Sequence, residues 1–322
     1  MTRGILRPLG ILIAFAAGLH TVSAAAQGLY SEFGARYWYS SGKTNFGFDN
    51  SNPLFGNPTS TLDWTGLTAH TGELFARITH DSGFYLKGTI GGGNITGGEI
   101  IDRDFIAGQI KFSDTYSEVR GDSLRYATAD IGFGTWNSWG RDRIGAFVGI
   151  QYWSEKTTAY GVRCNPDDVG GVFCGLPGAV VVPFTTASLG YEPTAWGVRV
   201  GFDYKYHFAP GWSVSGDVAY LPYVNLKNLD SHYLRVNPGD LGPTPNIIST
   251  AKYSWGFATE AFVNYAFTPN IEIGAGVRYW GVFARSGDVV FNLDGGSTAG
   301  PFPLRNLDMQ RWGLLLQLKG QM

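Results

Sequence analysis

Apolar and polar residues alternate with a period of two along nearly the whole chain, and helical periodicity is almost absent. From Trp196 the even positions read Trp196, Val198, Val200, Phe202, Tyr204 and Tyr206, while the odd positions read Gly197, Arg199, Gly201, Asp203, Lys205 and His207. Ile271, Ile273, Ala275, Val277 and Tyr279 alternate in the same way with Glu272, Gly274, Gly276 and Arg278. Trp255, Phe257, Ala261, Val263 and Tyr265 oppose Glu260 and Asn264. Residues two apart share a face of a strand, so each run has one greasy face and one that is charged or small. The runs predict ten strands, roughly 29–42, 60–79, 83–101, 120–139, 141–160, 186–207, 211–228, 248–267, 270–287 and 303–319.

Many of these runs are about twice as long as the usual strand of a soluble domain. Their apolar faces begin and end with aromatic residues, as at Trp255 and Phe267, which is how a lipid-facing band is girdled. The links alternate in length. Short turns are expected at His80-Asp81-Ser82, around Asn137 to Asp142, at Ala209-Pro210-Gly211 and at Thr268-Pro269, with long loops in the other gaps. The pattern predicts an all-β fold: a ten-stranded antiparallel transmembrane β-barrel with long extracellular loops and short periplasmic turns. The third and seventh predicted strands then run outward. A barrel this narrow has to accommodate inward Glu32, Arg36, Glu73, Arg77, Lys87, Asp130, Arg199, Asp203, Lys205, Asp217, Glu260, Glu272 and Arg278. Isolated charges there are costly to desolvate, so they are expected to pair and plug the lumen rather than line a pore. The C-terminal segment Gln317 to Met322 lacks the terminal aromatic of many such barrels.

Composition agrees with this class. Of 322 residues 46 are Gly, and 15% aromatic against only 16% charged residues is not the balance of an ordinary soluble domain. Arg3 and Arg7, an apolar run from Leu9 to Leu19 and the small residues Ser23 to Ala26 read as a signal peptide over 1–26, leaving 27–322 as one barrel domain. The mature chain then carries 22 basic and 26 acidic residues, which gives nucleic acid no general reason to bind. In an exported chain Cys164 and Cys174, ten residues apart in a Gly/Pro/Asp-rich stretch, are expected to form a local disulfide. No metal is expected: the two sulfurs have no nearby His, and Asp167-Asp168 lack a regular ladder of oxygen ligands. The glycine run Gly91 to Gly98 lacks the following Lys-Ser/Thr and the helix that a phosphate loop needs.

Candidate chemistry sits past the ends of the two outward runs, in segments expected to be long loops. These are Ile101-Asp102-Arg103-Asp104-Phe105 and Leu229-Asp230-Ser231-His232-Tyr233. In extended backbone the i, i+2 spacing places Asp102 with Asp104, and Asp230 with His232, on one face each. An Asp beside a His orients the imidazole, and a carboxylate pair across a cleft holds and polarises a water, an arrangement suited to amide hydrolysis without a covalent intermediate. His70, His80 and His207 are expected to be structural or solvated. Continued alternation from Tyr85 and Lys87, and from Ser213, Ser215 and Asp217, would turn all four candidates to the lipid side. A one-residue bulge in each strand is therefore required, near Gly91-Gly92-Gly93 or Gly97-Gly98 in one and near Pro222 in the other.

Those two segments resemble the catalytic segments of omptins, the outer-membrane proteases of Gram-negative bacteria. Ser41-Gly42-Lys43-Thr44 resembles the omptin S-G-K-T segment, Leu62-Asp63-Trp64 its L-D-W, and Ser123-Leu124-Arg125-Tyr126-Ala127 falls where that family enters its fourth strand. The resemblance implies a ten-stranded barrel of the outer membrane, the same strand number that alternation gives, and an Asp/His endopeptidase with its active-site face outside the cell. Asp230 and His232 would be the water-activating dyad, with Asp102 and Asp104 across the cleft. It also implies lipopolysaccharide as an activating lipid and partner, a peptide or protein substrate, no other cofactor, and a monomer. Two positions depart from the family. Omptins cleave beside basic residues using acids at the base of the cleft, and the matching substrate-binding positions here are Phe46 and Asn228. A desolvated Arg or Lys would find no carboxylate there, so the expected preference is not dibasic. From a different class, a non-catalytic structural or adhesive barrel could retain the same scaffold.

Overall fold

Neighbouring strands pair antiparallel all the way round, and the last returns to the first, which closes the sheet into a ring. The computed structural model describes residues 28–136, 142–165, 174 and 176–322. The signal peptide read over 1–26 lies outside these, as do residues 137–141 of one predicted turn. The strands are β1 (Leu29–Phe48), β2 (Ser60–His80), β3 (Phe84–Ile106), β4 (Ile110–Val119), β5 (Asp122–Trp136) and β6 (Arg143–Cys164). They continue with β7 (Val180–Ala209), β8 (Trp212–His232), β9 (Ile247–Thr268), β10 (Ile271–Asn292) and β11 (Thr298–Gln321). β4 and β5 share one place in the ring, because β3 and β6 each pair with both. The barrel is thus ten strands around. The break between β4 and β5 falls at Gly121, whose φ of +58° few other residues adopt.

Alternation translates directly into the two surfaces. Trp196, Phe202 and Tyr206 stand outside, more than half exposed, while Arg199, Asp203 and Lys205 between them are buried. An outward apolar belt of this extent is the lipid-facing surface of a membrane barrel. Inside, the expected charges pair. Arg278 bonds both Glu73 and Glu260, and Arg36 reaches Glu73 at 2.8 Å. Lys319 bridges Glu32 and Glu272 at 3.0 and 2.8 Å, and Lys87 lies among Asp130, Asp203 and Asp217. Above this layer Trp38, Tyr126, Trp153 and Trp280 pack edge to face, with the Arg278 guanidinium 5.0 Å from the Trp38 ring. Ion pairs and rings fill the lumen, as the sequence predicts.

The strands differ from expectation at the end opposite the short turns. They run on past the apolar belt: β1 reaches Phe48, β3 reaches Ile106 and β8 reaches His232. Much of what alternation leaves as long loop is therefore barrel wall. Beyond the lipid neither face must be apolar, so the hydrogen-bond ladder continues while the hydrophobic signal that marks it fades. Cys164 and Cys174 form the expected disulfide, which ties the end of β6 to the link leading to β7.

Candidate functional site

The four candidate residues lie on strands, not in loops, well past the belt. On β3 the closely spaced exposed apolar residues of the belt, Phe84, Leu86 and Ile90, end twelve residues before Asp102, and on β8 those of the belt end at Tyr223. Asp230 stands seven residues beyond Tyr223, about 24 Å of strand.

Both required bulges are present. On β3 the interior residues are odd-numbered up to Ile95, then even-numbered from Ile100. The change falls at Thr96–Gly98, where Thr68 of β2 pairs Gly97 while its neighbour Ala69 pairs Ile95. Gly98 has φ +147°, and a Cβ there would stand 2.9 Å from the Thr65 carbonyl oxygen, so only glycine fits. On β8 the interior set changes from Ala219 and Leu221 to Val224, Leu226, Asn228 and Asp230. There Val198 of β7 pairs Tyr223 while Val200 pairs Tyr220, leaving Leu221 and Pro222 opposite one residue. Of the two locations open on β3, Gly97-Gly98 is the one used; on β8 it is Pro222.

With the faces switched, Asp102 and Asp104 point inward from β3, across from Asp230 and His232 on β8. The His232 Nε2 lies 3.5 Å from Asp230 Oδ2, and Asp230 is almost wholly buried. Burial opposes the imidazolium, but the Asp230 carboxylate and then Asp102 outweigh it and hold His232 above its ordinary pKa. Burial pushes Asp102 well above the usual carboxylate range, and the neighbouring charge of Asp104 adds to this. Asp104 is also raised by burial, against the Ser60 hydroxyl that bonds it and the charge of His232. All of these groups feel one another, so the two halves form one electrostatic unit.

Their supports come from neighbouring strands. Ser60 of β2 sits in register with Asp104, and Leu62 with Asp102. On the outer side Arg103 bonds Asp63 at 2.7 Å, and Asn45 donates to the same carboxylate, so β1, β2 and β3 are tied behind the acidic pair. Asn246 fixes the dyad: its backbone N–H donates to the Asp230 carbonyl at 3.0 Å, and its side-chain oxygen accepts from the His232 N–H at 2.9 Å. Below the four residues, Tyr191 of β7 stacks 5.3 Å from Trp64 of β2 and 6.5 Å from Phe46 of β1, forming an aromatic floor. Asn228 lies beside it, one inward step below Asp230, with no exposed surface.

Of the two positions expected to set specificity, Asn228 lies one inward step before Asp230 on β8, and Phe46 packs against Tyr191, the cross-strand partner of Asp230. Ser60, Tyr191 and Asn246 carry no signal in the sequence, because each reaches the site through cross-strand register; Trp64 belongs to the Leu62-Asp63-Trp64 segment. His70 bonds Tyr37 and His80 bonds Ser82, far from the site. Among the described residues no group of three or more His, Cys, Asp or Glu is arranged to hold a metal ion.

Compared with solved structures, the chain overlays the outer membrane protease OmpT from Escherichia coli with a TM-score of 0.70, at 15% identity, over 91% of this chain and 97% of that one. The likeness is one of fold. A FadL homologue from Pseudomonas aeruginosa overlays with a TM-score of only 0.26, at 12% identity over 92% and 90% of the two chains. The toluene transporter TodX from P. putida gives 0.22, at 9% identity over 92% and 90%. No family model and no curated protein matches the chain.

Proposed function

We propose that this protein is an omptin-like endopeptidase of the Gram-negative outer membrane, hydrolysing peptide bonds at the cell surface with a water activated by Asp230 and His232. The observation that carries this reading is the buried Asp230–His232 contact of 3.5 Å facing Asp102 and Asp104. The fold shared with a protein named as an outer membrane protease supports it, as does the apolar belt, which leaves the site on the long-strand side of the membrane.

Neutral His232 takes a proton from water as the oxygen attacks the scissile carbonyl carbon. Asp230 keeps the imidazole oriented and stabilises the imidazolium that results. A carboxyl kept protonated in the Asp102–Asp104 pair donates to the developing oxyanion, which a buried site rewards more than water would. As the C–N bond breaks, the imidazolium returns the proton to the leaving amine. Lipopolysaccharide is the lipid partner in this reading, and the chain acts as a monomer without a metal or organic cofactor.

The test is cleavage of a diverse peptide library by the mature protein, refolded with lipopolysaccharide, beside a His232→Ala control. Cleavage that vanishes in the control is the expected result. A folded barrel that cleaves nothing would replace this reading with the structural or adhesive one.

A further inference from the structure

Beneath the dyad several polar atoms are buried without partners. Both side-chain amide atoms of Asn228 accept and donate no hydrogen bond, and neither do the Ser249 hydroxyl, the Tyr191 hydroxyl and the Trp64 indole N–H. These four residues are at most 1% exposed. They are also neighbours: Asn228 pairs Ser249 across β8 and β9, Tyr191 pairs Asp230 across β7 and β8, and Trp64 stacks on Tyr191. An unmade hydrogen bond at a buried polar group is destabilising, so a native chain has reason to keep such atoms together only where something supplies their partners.

The chemistry of the group identifies that partner. The indole only donates, the two hydroxyls both donate and accept, and the Asn228 amide offers a donor and an acceptor side by side. A carboxamide presents the same pair in reverse. Both Asp230 carboxylate oxygens also lack a hydrogen bond, with His232 3.5 Å away, but an Arg or Lys side chain brings donors alone and would leave the Asn228 N–H and the Trp64 indole N–H without an acceptor. A cation there would compete with His232 for that carboxylate and weaken the base. A carboxylate ligand would stand beside Asp230, repelled. An aliphatic side chain would pack on Phe46 and Tyr191 but leave every polar atom unpaired. Depth selects further. One inward step along β8 is about 6.8 Å, within reach of a glutamine side chain from a backbone held at the dyad and beyond that of asparagine.

We propose that Asn228, Ser249, Tyr191 and Trp64 form a neutral specificity subsite for a glutamine side chain on the residue whose carbonyl is cleaved. The assignment rests on the endopeptidase reading above and names its substrate class. Asn228 is its central determinant, since its planar amide holds a donor and an acceptor side by side in fixed geometry.

The experiment compares four peptides that differ only at this position, carrying Gln, Leu, Arg or Glu, with the mature protein refolded in lipopolysaccharide-containing micelles. Glutamine should lead in kcat/KM by at least about tenfold, as expected when a site built to hydrogen-bond meets an analogue that cannot. Asn228→Asp, checked for barrel folding by its heat-modifiable mobility, should shift the Arg-to-Gln ratio toward Arg by about tenfold. A parallel arm measures binding of the same labelled peptides to His232→Ala by fluorescence anisotropy, where glutamine should again bind tightest. Cleavage that depends on His232 but favours Leu or Arg, or shows no preference, overturns the subsite and leaves the peptidase standing. Selective binding of the glutamine peptide without cleavage by the wild type sustains the subsite and overturns hydrolysis. Neither cleavage nor binding overturns both.

Discussion

The imidazole of His232 and the carboxylate of Asp230 meet 3.5 Å apart on one face of β8, two residues from each other, with Asn246 clamping the backbone of both. Because Asp230 holds His232 above its ordinary pKa, the neutral base forms only at higher pH than for a free histidine. The acidic limb of kcat/KM should therefore lie above about 6.5. Asp230→Asn removes the carboxylate, so the limb should move to lower pH while kcat falls by about 10²–10⁴-fold. A pH–rate profile of the two proteins checks both; an unmoved limb would dissociate His232 from the rate.

Asp102 presents the opposite balance, since burial and Asp104 raise its pKa. A raised carboxyl binds its proton more tightly folded than unfolded. The folded state is therefore favoured below the unfolded pKa and loses that advantage as pH rises through the folded one. Asp102→Asn should stabilise the barrel near neutral pH by an amount on the order of 1 kcal/mol, with the gain vanishing in acid. The same substitution should remove activity, a trade common where a site holds destabilising groups. Urea midpoints at pH 7 and pH 3 are the measurement.

Inserting one alanine after Val224 should reverse the change of face that the bulge at Leu221-Pro222 makes in β8. A one-residue shift turns every later side chain to the other face, so Asn228, Asp230 and His232 would point outward. We expect a barrel that still shows heat-modifiable mobility but has no peptidase activity. Retained cleavage would mean that the bulge does not orient the dyad.

Arg278 is almost wholly buried and bonds both Glu73 and Glu260 in the lumen. Replacing it with Met leaves these carboxylates with Arg36 alone, and should cost about 3–5 kcal/mol in a urea titration. The intact protein, with its interior filled by such pairs, should give no large ion conductance in planar bilayers.

Alternation alone carried the architecture a long way. Arg199, Asp203 and Lys205 are inside and Trp196, Phe202 and Tyr206 outside because a membrane barrel imposes opposite solvents on its two faces, and period two records that constraint. The disulfide was legible for a local reason, two cysteines in one short link. The height of the wall was not. Once β3 and β8 leave the lipid, both faces tolerate polar residues, and Asp102 to Asp104 looked like loop.

Residue types and i, i+2 spacing are written in the chain, so the pairing of Asp230 with His232, and of Asp102 with Asp104, was determined by the sequence. So was the need for a bulge in each strand, because uninterrupted alternation would have placed the dyad on the outer face of the barrel. Which residues bulge, and what then meets across the lumen, were decided by the tertiary structure. Gly98 takes its unusual φ because Thr65 and Leu67 press against it from β2, and Tyr191 meets Trp64 only because ring closure sets β7 across from β2. Contacts of that kind follow from strand register and barrel closure, which join residues from about thirty to more than a hundred positions apart, and no local pattern of polar and apolar residues encodes them.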